Sequence, residues 1–195
     1  AIVRKIEPFA RFLDIAATKV GEEINYASVA SDVGVSAKTL QGFFEVLEDT
    51  LLGYRLEPFR LTKARKAISR SKFYLFDTGI TNSLLGRKSI TPAAAEYGIL
   101  FEQFIINEIR AYLSYSRSDE QLAYWKTDTG LEVDCLIGKK LAIEIKTSDN
   151  LQSKHLKGIK ALQEENLFQN YAVVSFVPEA RLVDNINIYP WKMFL

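Results

Sequence analysis

The sequence predicts an α/β protein in two parts: a helical segment closed by extended residues, then a segment in which strands and helices alternate. Three observations carry this. Apolar residues recur at helical spacing through the opening stretch, and two later runs alternate apolar and charged residues with period two. The chain has 195 residues, 48% apolar and 25% charged, which suits one large or two small globular domains and excludes a disordered chain.

In the first segment, Phe9, Phe12, Leu13, Ala16 and Val20 keep helical spacing over 7–20, and Gly21 supplies a stop. A second helix runs from Tyr26 to Val33 with Asn25 as its N-cap. Gly34 and Val35 form a turn, and Ser36 caps a third helix reaching Glu48. Residues from Leu51 to Arg60 read as extended, bent at Pro58. Ala30, Gly34 and Leu40 have the spacing of a helix-turn-helix: a small residue at the crossing, a left-handed turn glycine and an apolar lock. Followed by extended residues, this is a winged-helix layout, assigned to residues 1–70, with a second domain over 71–195.

The outward residues of the third helix include Lys38, Thr39 and Gln41, candidate DNA contacts. Glu45, Glu48 and Asp49 follow closely, so a protein-docking face is the alternative. From Leu61 to Lys72 the chain holds Lys63, Arg65, Lys66, Arg70 and Lys72 without an acid. Lys63, Arg65 and Lys66 are expected either to contact phosphates or to form a solvated surface.

The second segment opens with a strand at Phe73–Phe76. Asp77 caps a helix from Thr78 to Leu85, closed by Gly86. A longer helix covers 98–115. On it Ile105, Ile106 and Ile109 lie within about 60° of Glu102, which places a carboxylate on an isoleucine face. Burying it unpaired would be costly, so Glu102 is expected to meet a cation, a metal or hydrogen-bond donors, with a salt bridge to Lys146 as the plain alternative.

Strands are expected at Leu122–Lys126, Glu132–Gly138 and Leu141–Lys146. Val133, Cys135 and Ile137 share one face of the second, and Leu141, Ile143 and Ile145 share one face of the third. Only a three-residue turn, Gly138 to Lys140, makes those apolar faces coincide. It pairs Val133 with Ile145, Cys135 with Ile143 and Ile137 with Leu141. Asp134 then opposes Glu144, and Glu132 opposes Lys146. Two facing acids repel unless a cation lies between them, which predicts a divalent metal at Asp134 and Glu144. Cys135 falls on the apolar face and is expected to be a small core residue. A helix over 153–165, a strand at Tyr171–Phe176 and a last strand at Ile186–Tyr189 complete the segment. His155 is expected at the surface, with Gln163 further along the same helix.

Asp134 followed by Glu144-Ile145-Lys146, with Glu102 on the preceding helix, resembles the PD-(D/E)xK nucleases and their restriction-endonuclease-like fold in its resolvase-type variant. Val133 stands where that pattern commonly has proline. The resemblance implies a three-layer α/β domain with a central mixed sheet. It also implies Mg²⁺ held by Asp134, Glu144 and Glu102, with Asp134, Glu144 and Lys146 as the catalytic set.

The chain as a whole is similar to the C-terminal part of prokaryotic predicted P-loop (AAA-type) ATPases. The similarity runs through Ile24–Ala30, Leu47–Leu52, Phe73–Leu85, Leu100-Phe101-Glu102 and Val133–Lys146. It implies an N-terminal nucleotide-binding domain as a partner, with ATP bound there. No phosphate-cradling Gly-x-x-x-x-Gly-Lys-Ser/Thr occurs in this sequence, and the nearest string, Gly34 to Thr39, lacks the second glycine. The opening at Ala1, inside an amphipathic pattern, is expected of a piece of something longer.

Composition sets the remaining bounds. Cys135 alone excludes a disulfide framework and a Cys-rich zinc site, and His155 alone excludes two-histidine metal sites. The net charge is +1, which argues against binding by bulk charge. Cutting after Lys72 separates 12 basic and 9 acidic residues from 13 and 15, so the small total conceals two unlike parts. No apolar run suits a membrane span and no secretory pattern opens the chain, so a cytoplasmic location is expected. Three functions compete: a Mg²⁺-dependent DNA nuclease module, a non-catalytic module that binds DNA or docks a partner, and a transcription regulator.

Overall fold

The computed structural model describes residues 6–62 and 65–195. It is a mixed α/β structure with, among those residues, seven α-helices and eight strands in two compact units. The first unit comprises the residues up to Leu56 together with Arg70–Ala94; the second comprises Glu57–Ser69 and Ala95–Leu195.

The first unit is built on helices α1 (Ile6–Thr18), α2 (Tyr26–Val33) and α3 (Ala37–Asp49). Local chemistry sets their ends as the sequence predicts. The Asn25 side chain accepts from the Ser28 amide, and the Ser36 hydroxyl accepts from the Thr39 amide. Gly34 adopts φ 76° after α2, and its amide and that of Val35 both donate to the Ala30 carbonyl. Between the helices lies an aromatic core. The Phe12 ring is 4.9 Å from Phe44 and 5.5 Å from Phe43, and Phe44 in turn is 5.0 Å from Phe73. Each such ring contributes roughly 1.5–3 kcal/mol through burial.

Strand β1 (Gly53–Pro58) follows, and its first four residues pair antiparallel with β2 (Lys72–Leu75). This corrects the expected division at residue 70. The strand predicted to open the second domain is the return arm of the first unit's hairpin. Helix α4 (Thr78–Leu84), which packs against α1 and β2, belongs to that unit as well. Asp77 caps α4 as expected, accepting from the Ile80 amide at 2.9 Å.

In the second unit, helix α5 (Tyr97–Tyr115) precedes the antiparallel strands β3 (Leu122–Lys126), β4 (Glu132–Ile137) and β5 (Leu141–Ile145). A 3₁₀ turn (Ser153–Leu156) leads into α6 (Lys157–Glu164), after which β6 (Asn170–Ser175) pairs parallel with β5. Strand β8 (Ile186–Pro190) pairs parallel with β6 on one edge and antiparallel with β7 (Arg181–Val183) on the other. A short helix, α7 (Trp191–Phe194), follows β8. Glu57 and Pro58 pair parallel with Ala123 and Tyr124 of β3. Strand β7 escaped the sequence reading because it is only three residues long. Its turn is made by Asp184 and Asn185, both at positive φ, the chemistry of a two-residue hairpin.

The β4–β5 register is the predicted one: Cys135 pairs with Ile143 and Ile137 with Leu141 around the turn at Gly138. Alternation does not hold along the whole of β4, however. Val133 and Leu136 enter the same buried cluster, beside Ile159 and Leu162 of α6. The irregularity lies where the β3–β4 register shifts, between Ala123 and Trp125, just before the Trp125–Val133 pair. Helix α6 approaches β4 closely at Gly158, where an added Cβ would lie 1.8 Å from the Glu132 carbonyl oxygen. Only glycine fits there.

Candidate functional site

The site forms where β4 and β5 leave their shared ladder. The paired residues end at Cys135 and Ile143, so the predicted Val133–Ile145 pair does not form. Instead the Asp134 carboxylate takes the place of a backbone partner: its Oδ2 accepts from the Ile145 amide at 2.7 Å. The Lys146 amide donates to the Val174 carbonyl at 3.0 Å, which ties the end of β5 to β6 and aims the lysine side chain. Lys146 Nζ then reaches Glu144 Oε1 at 2.6 Å and Asp134 Oδ2 at 3.4 Å. Asp134 and Glu144 are 6% and 5% exposed, so this is a buried acid pair bridged by one ammonium.

The expected partner of Glu132 is corrected. Glu132 pairs not with Lys146 but with Lys126 of β3, at 3.0 Å, because β3 is the neighbour that remains in register there. Lys146 is thereby left to the two inner acids.

Electrostatics follow from this geometry. Burial, and next the charge of Asp134, push the Glu144 carboxyl well above its ordinary range, outweighing the help of Lys146. Burial disfavours the Lys146 ammonium, but Asp134 and Glu144, joined by Glu102, hold it firmly protonated. Glu144 Oε2 is buried without a hydrogen-bond partner. Such an atom costs free energy where it stands, so the arrangement is not tuned for stability alone.

Glu102 is half-buried on α5, beside the fully buried Ile105 and Ile106, as the helical angles predict. Its charge acts on Lys146. It does not join Asp134 and Glu144 in a three-acid cluster: among the described residues no three His, Cys, Asp or Glu side chains gather closely enough to hold a metal ion. The donors at hand are two hard carboxylates, one with an unsatisfied oxygen. That set fits a hydrated cation such as Mg²⁺, which keeps several of its waters, and does not fit a cage built wholly from protein ligands.

His155 is half-buried rather than fully at the surface. Its Nδ1 accepts from the Gln152 amide at 3.1 Å, and burial, then Lys154 and Lys146, hold its imidazole below the ordinary value. Gln163 donates to the Asp184 carbonyl at 3.0 Å and so braces the β7–β8 turn. Cys135 is fully buried, a core residue as expected.

The candidate DNA contacts fall in both units. Lys38 and Gln41 are exposed on the first turns of α3, while the Thr39 hydroxyl bonds that of Ser36 in the cap. Lys63 lies outside the described residues. Lys66 is exposed. Arg65 is engaged within the protein, where its guanidinium binds Glu164, Glu165 and the Ala161 carbonyl at the end of α6. The run of bases showed no acid nearby in sequence, and the fold supplied two from a hundred residues away.

Residues 97–194, half of the chain, match the model of Domain of unknown function (DUF4143). The chain belongs to the DUF4143 family. Residues 1–91 match a second model, Domain of unknown function (DUF8612). The two matches meet on either side of Ala94–Ala95, where the second structural unit resumes, so the DUF4143 region coincides with most of that unit. An uncharacterized protein of Mycobacterium bovis (Mb2031c) and one of Mycobacterium tuberculosis (Rv2008c) are each 25% identical over 131 residues, covering 65% of this chain and 29% of the relative. The chain thus spans under a third of the length of these curated relatives. No solved structure gives a significant match. Among the described residues, no helix is long and apolar enough to cross a membrane.

Proposed function

We propose that the chain is a Mg²⁺-dependent nuclease module: a restriction-endonuclease-like core in the DUF4143 region, preceded by a winged helix, within a larger protein that carries a P-loop ATPase domain. The observation that supports this best is the buried Asp134–Lys146–Glu144 constellation with its unsatisfied Glu144 oxygen. A bare structural ion pair would satisfy its oxygens. A site that takes up a cation keeps one in reserve.

In this reading Asp134 and Glu144 hold Mg²⁺, with Glu102 supporting from α5. The cation, when bound, supplies an activated water and screens the phosphodiester. The protein's own residues do the rest. The Ile145 amide fixes the Asp134 carboxylate, the backbone bond to Val174 fixes the start of the lysine, and Lys146 places positive charge where the scissile phosphate gains negative charge. DNA is the proposed substrate, with Lys38, Gln41, Lys63 and Lys66 as candidate phosphate contacts. The greater length of the mycobacterial relatives leaves room for the ATPase domain.

Incubating the chain with linear, nicked, branched and single-stranded DNA in Mg²⁺, beside a Glu144→Ala control, tests the reading. Cleavage by the chain and none by the control supports it; equal cleavage by both rules it out. A second reading is favoured by the position of Glu102, which leaves the two inner acids without a third in their cluster: a non-catalytic module that binds DNA or docks a partner. It expects no cleavage, and any DNA affinity should fall steeply with salt.

A further inference from the structure

Lys146 occupies the space between the two acids. We propose, on the basis of the nuclease reading, that Lys146 is the resident counter-ion of Asp134 and Glu144, that it competes with the divalent cation, and that cation binding is what releases it toward the phosphodiester.

The geometry carries this. Two carboxylates exposed by only 6% and 5% cannot both hold charge without a cation beside them. Lys146 Nζ stands 2.6 Å from one and 3.4 Å from the other. Neighbouring basic groups are committed elsewhere: Lys126 pairs with Glu132, and His155 Nδ1 accepts a hydrogen bond from the Gln152 amide. A divalent ion drawn to the same acids meets the ammonium at short range, where like charges repel strongly in a poorly solvated pocket. It therefore binds more weakly than the acids alone would allow, and once seated it drives the ammonium outward. Cation loading and delivery of the lysine become one event, so the lysine is presented only when the site is complete.

Mn²⁺ serves as the probe, with uptake followed by calorimetry in the unaltered chain, Lys146→Met and Lys146→Arg. In parallel, acylation of lysines by an amine-reactive ester is read by mass spectrometry in EDTA and in Mn²⁺. Lys146→Met is expected to take up Mn²⁺ roughly tenfold or more tightly than the unaltered chain, the gain from removing a close like charge. Lys146→Arg should resemble the unaltered chain. Lys146 should resist acylation in EDTA and become labelled once Mn²⁺ binds.

If the unaltered chain binds Mn²⁺ and Lys146→Met binds no more tightly, competition is refuted and the nuclease reading stands. If Lys146 stays shielded with Mn²⁺ bound, the cation has settled on the unpaired Glu144 Oε2 with the lysine in place, and release is refuted. If neither protein takes up Mn²⁺, both the inference and the metal reading fall. The labelling experiment needs no variant, so it decides the matter even if Lys146→Met does not fold.

Discussion

The helical core of the first unit and the end of the β4–β5 hairpin in the second are both deeply buried, yet they are built on opposite principles. Among α1, α2 and α3 every fully buried side chain is apolar, and a partly exposed ion pair sits at the edge. There the Arg55 guanidinium spans Glu48 and the Tyr26 hydroxyl. At the hairpin, two acids and a lysine are buried together, and one oxygen has no partner. The three-helix core is held by apolar packing. The hairpin end keeps one polar conflict unresolved, which is how a site that must accept something differs from a core that must only persist.

Five substitutions would break or sharpen that contrast. Phe12→Ala, in the aromatic core, should cost about 3–5 kcal/mol in denaturant unfolding, since a fully buried ring leaves a cavity between two helices. A cost under about 1 kcal/mol would show that the core is loosely packed. Gly158→Ala should cost about 1–3 kcal/mol, because the new methyl meets the backbone oxygen of Glu132 and backbone yields poorly. Unchanged stability there would mean that α6 shifts freely away from β4.

Gly34→Ala should cost about 1–2 kcal/mol, from the left-handed φ of 76° alone, because nothing crowds the position. The same unfolding measurement checks it, and Gly34→Asn should recover part of the loss. The subtlest effect is a pH slope. Folded Glu144 holds its proton to a pH above the ordinary 4.5, so over that interval the native state binds more protons than the unfolded chain, and stability falls as pH rises. In metal-free buffer, Glu144→Gln should flatten that fall. An unchanged slope would show that Glu144 ionises in the folded protein as it does in water.

Several features were legible in the residues themselves because local chemistry sets them. Asn25, Ser36 and Asp77 cap the helices they were expected to cap, and the three-residue turn at Gly138 follows from matching two apolar faces. Asp134, Glu144 and Lys146 were singled out from their spacing, but they meet beyond the end of the shared ladder, where the Ile145 amide holds Asp134 and Lys146 bridges the two acids. The misses share a different cause. Arg65 looked free because its partners Glu164 and Glu165 lie far along the chain, and Phe73 looked like the start of a new domain because its strand partner lies on the earlier side of the cut.

By itself, then, the sequence determined most of the elements, three of the helix caps and the hairpin register next to the turn. These depend on periods of two and 3.6 residues and on short-range hydrogen bonds. Only the tertiary structure decided how the chain divides, that Glu132 turns to Lys126, and that Asp134 binds the Ile145 amide while Lys146 bridges two acids of which one keeps an unsatisfied oxygen. Those outcomes rest on which strand stays in register and on how deeply each charge is buried. Both are set by distant packing, which leaves no local pattern to read.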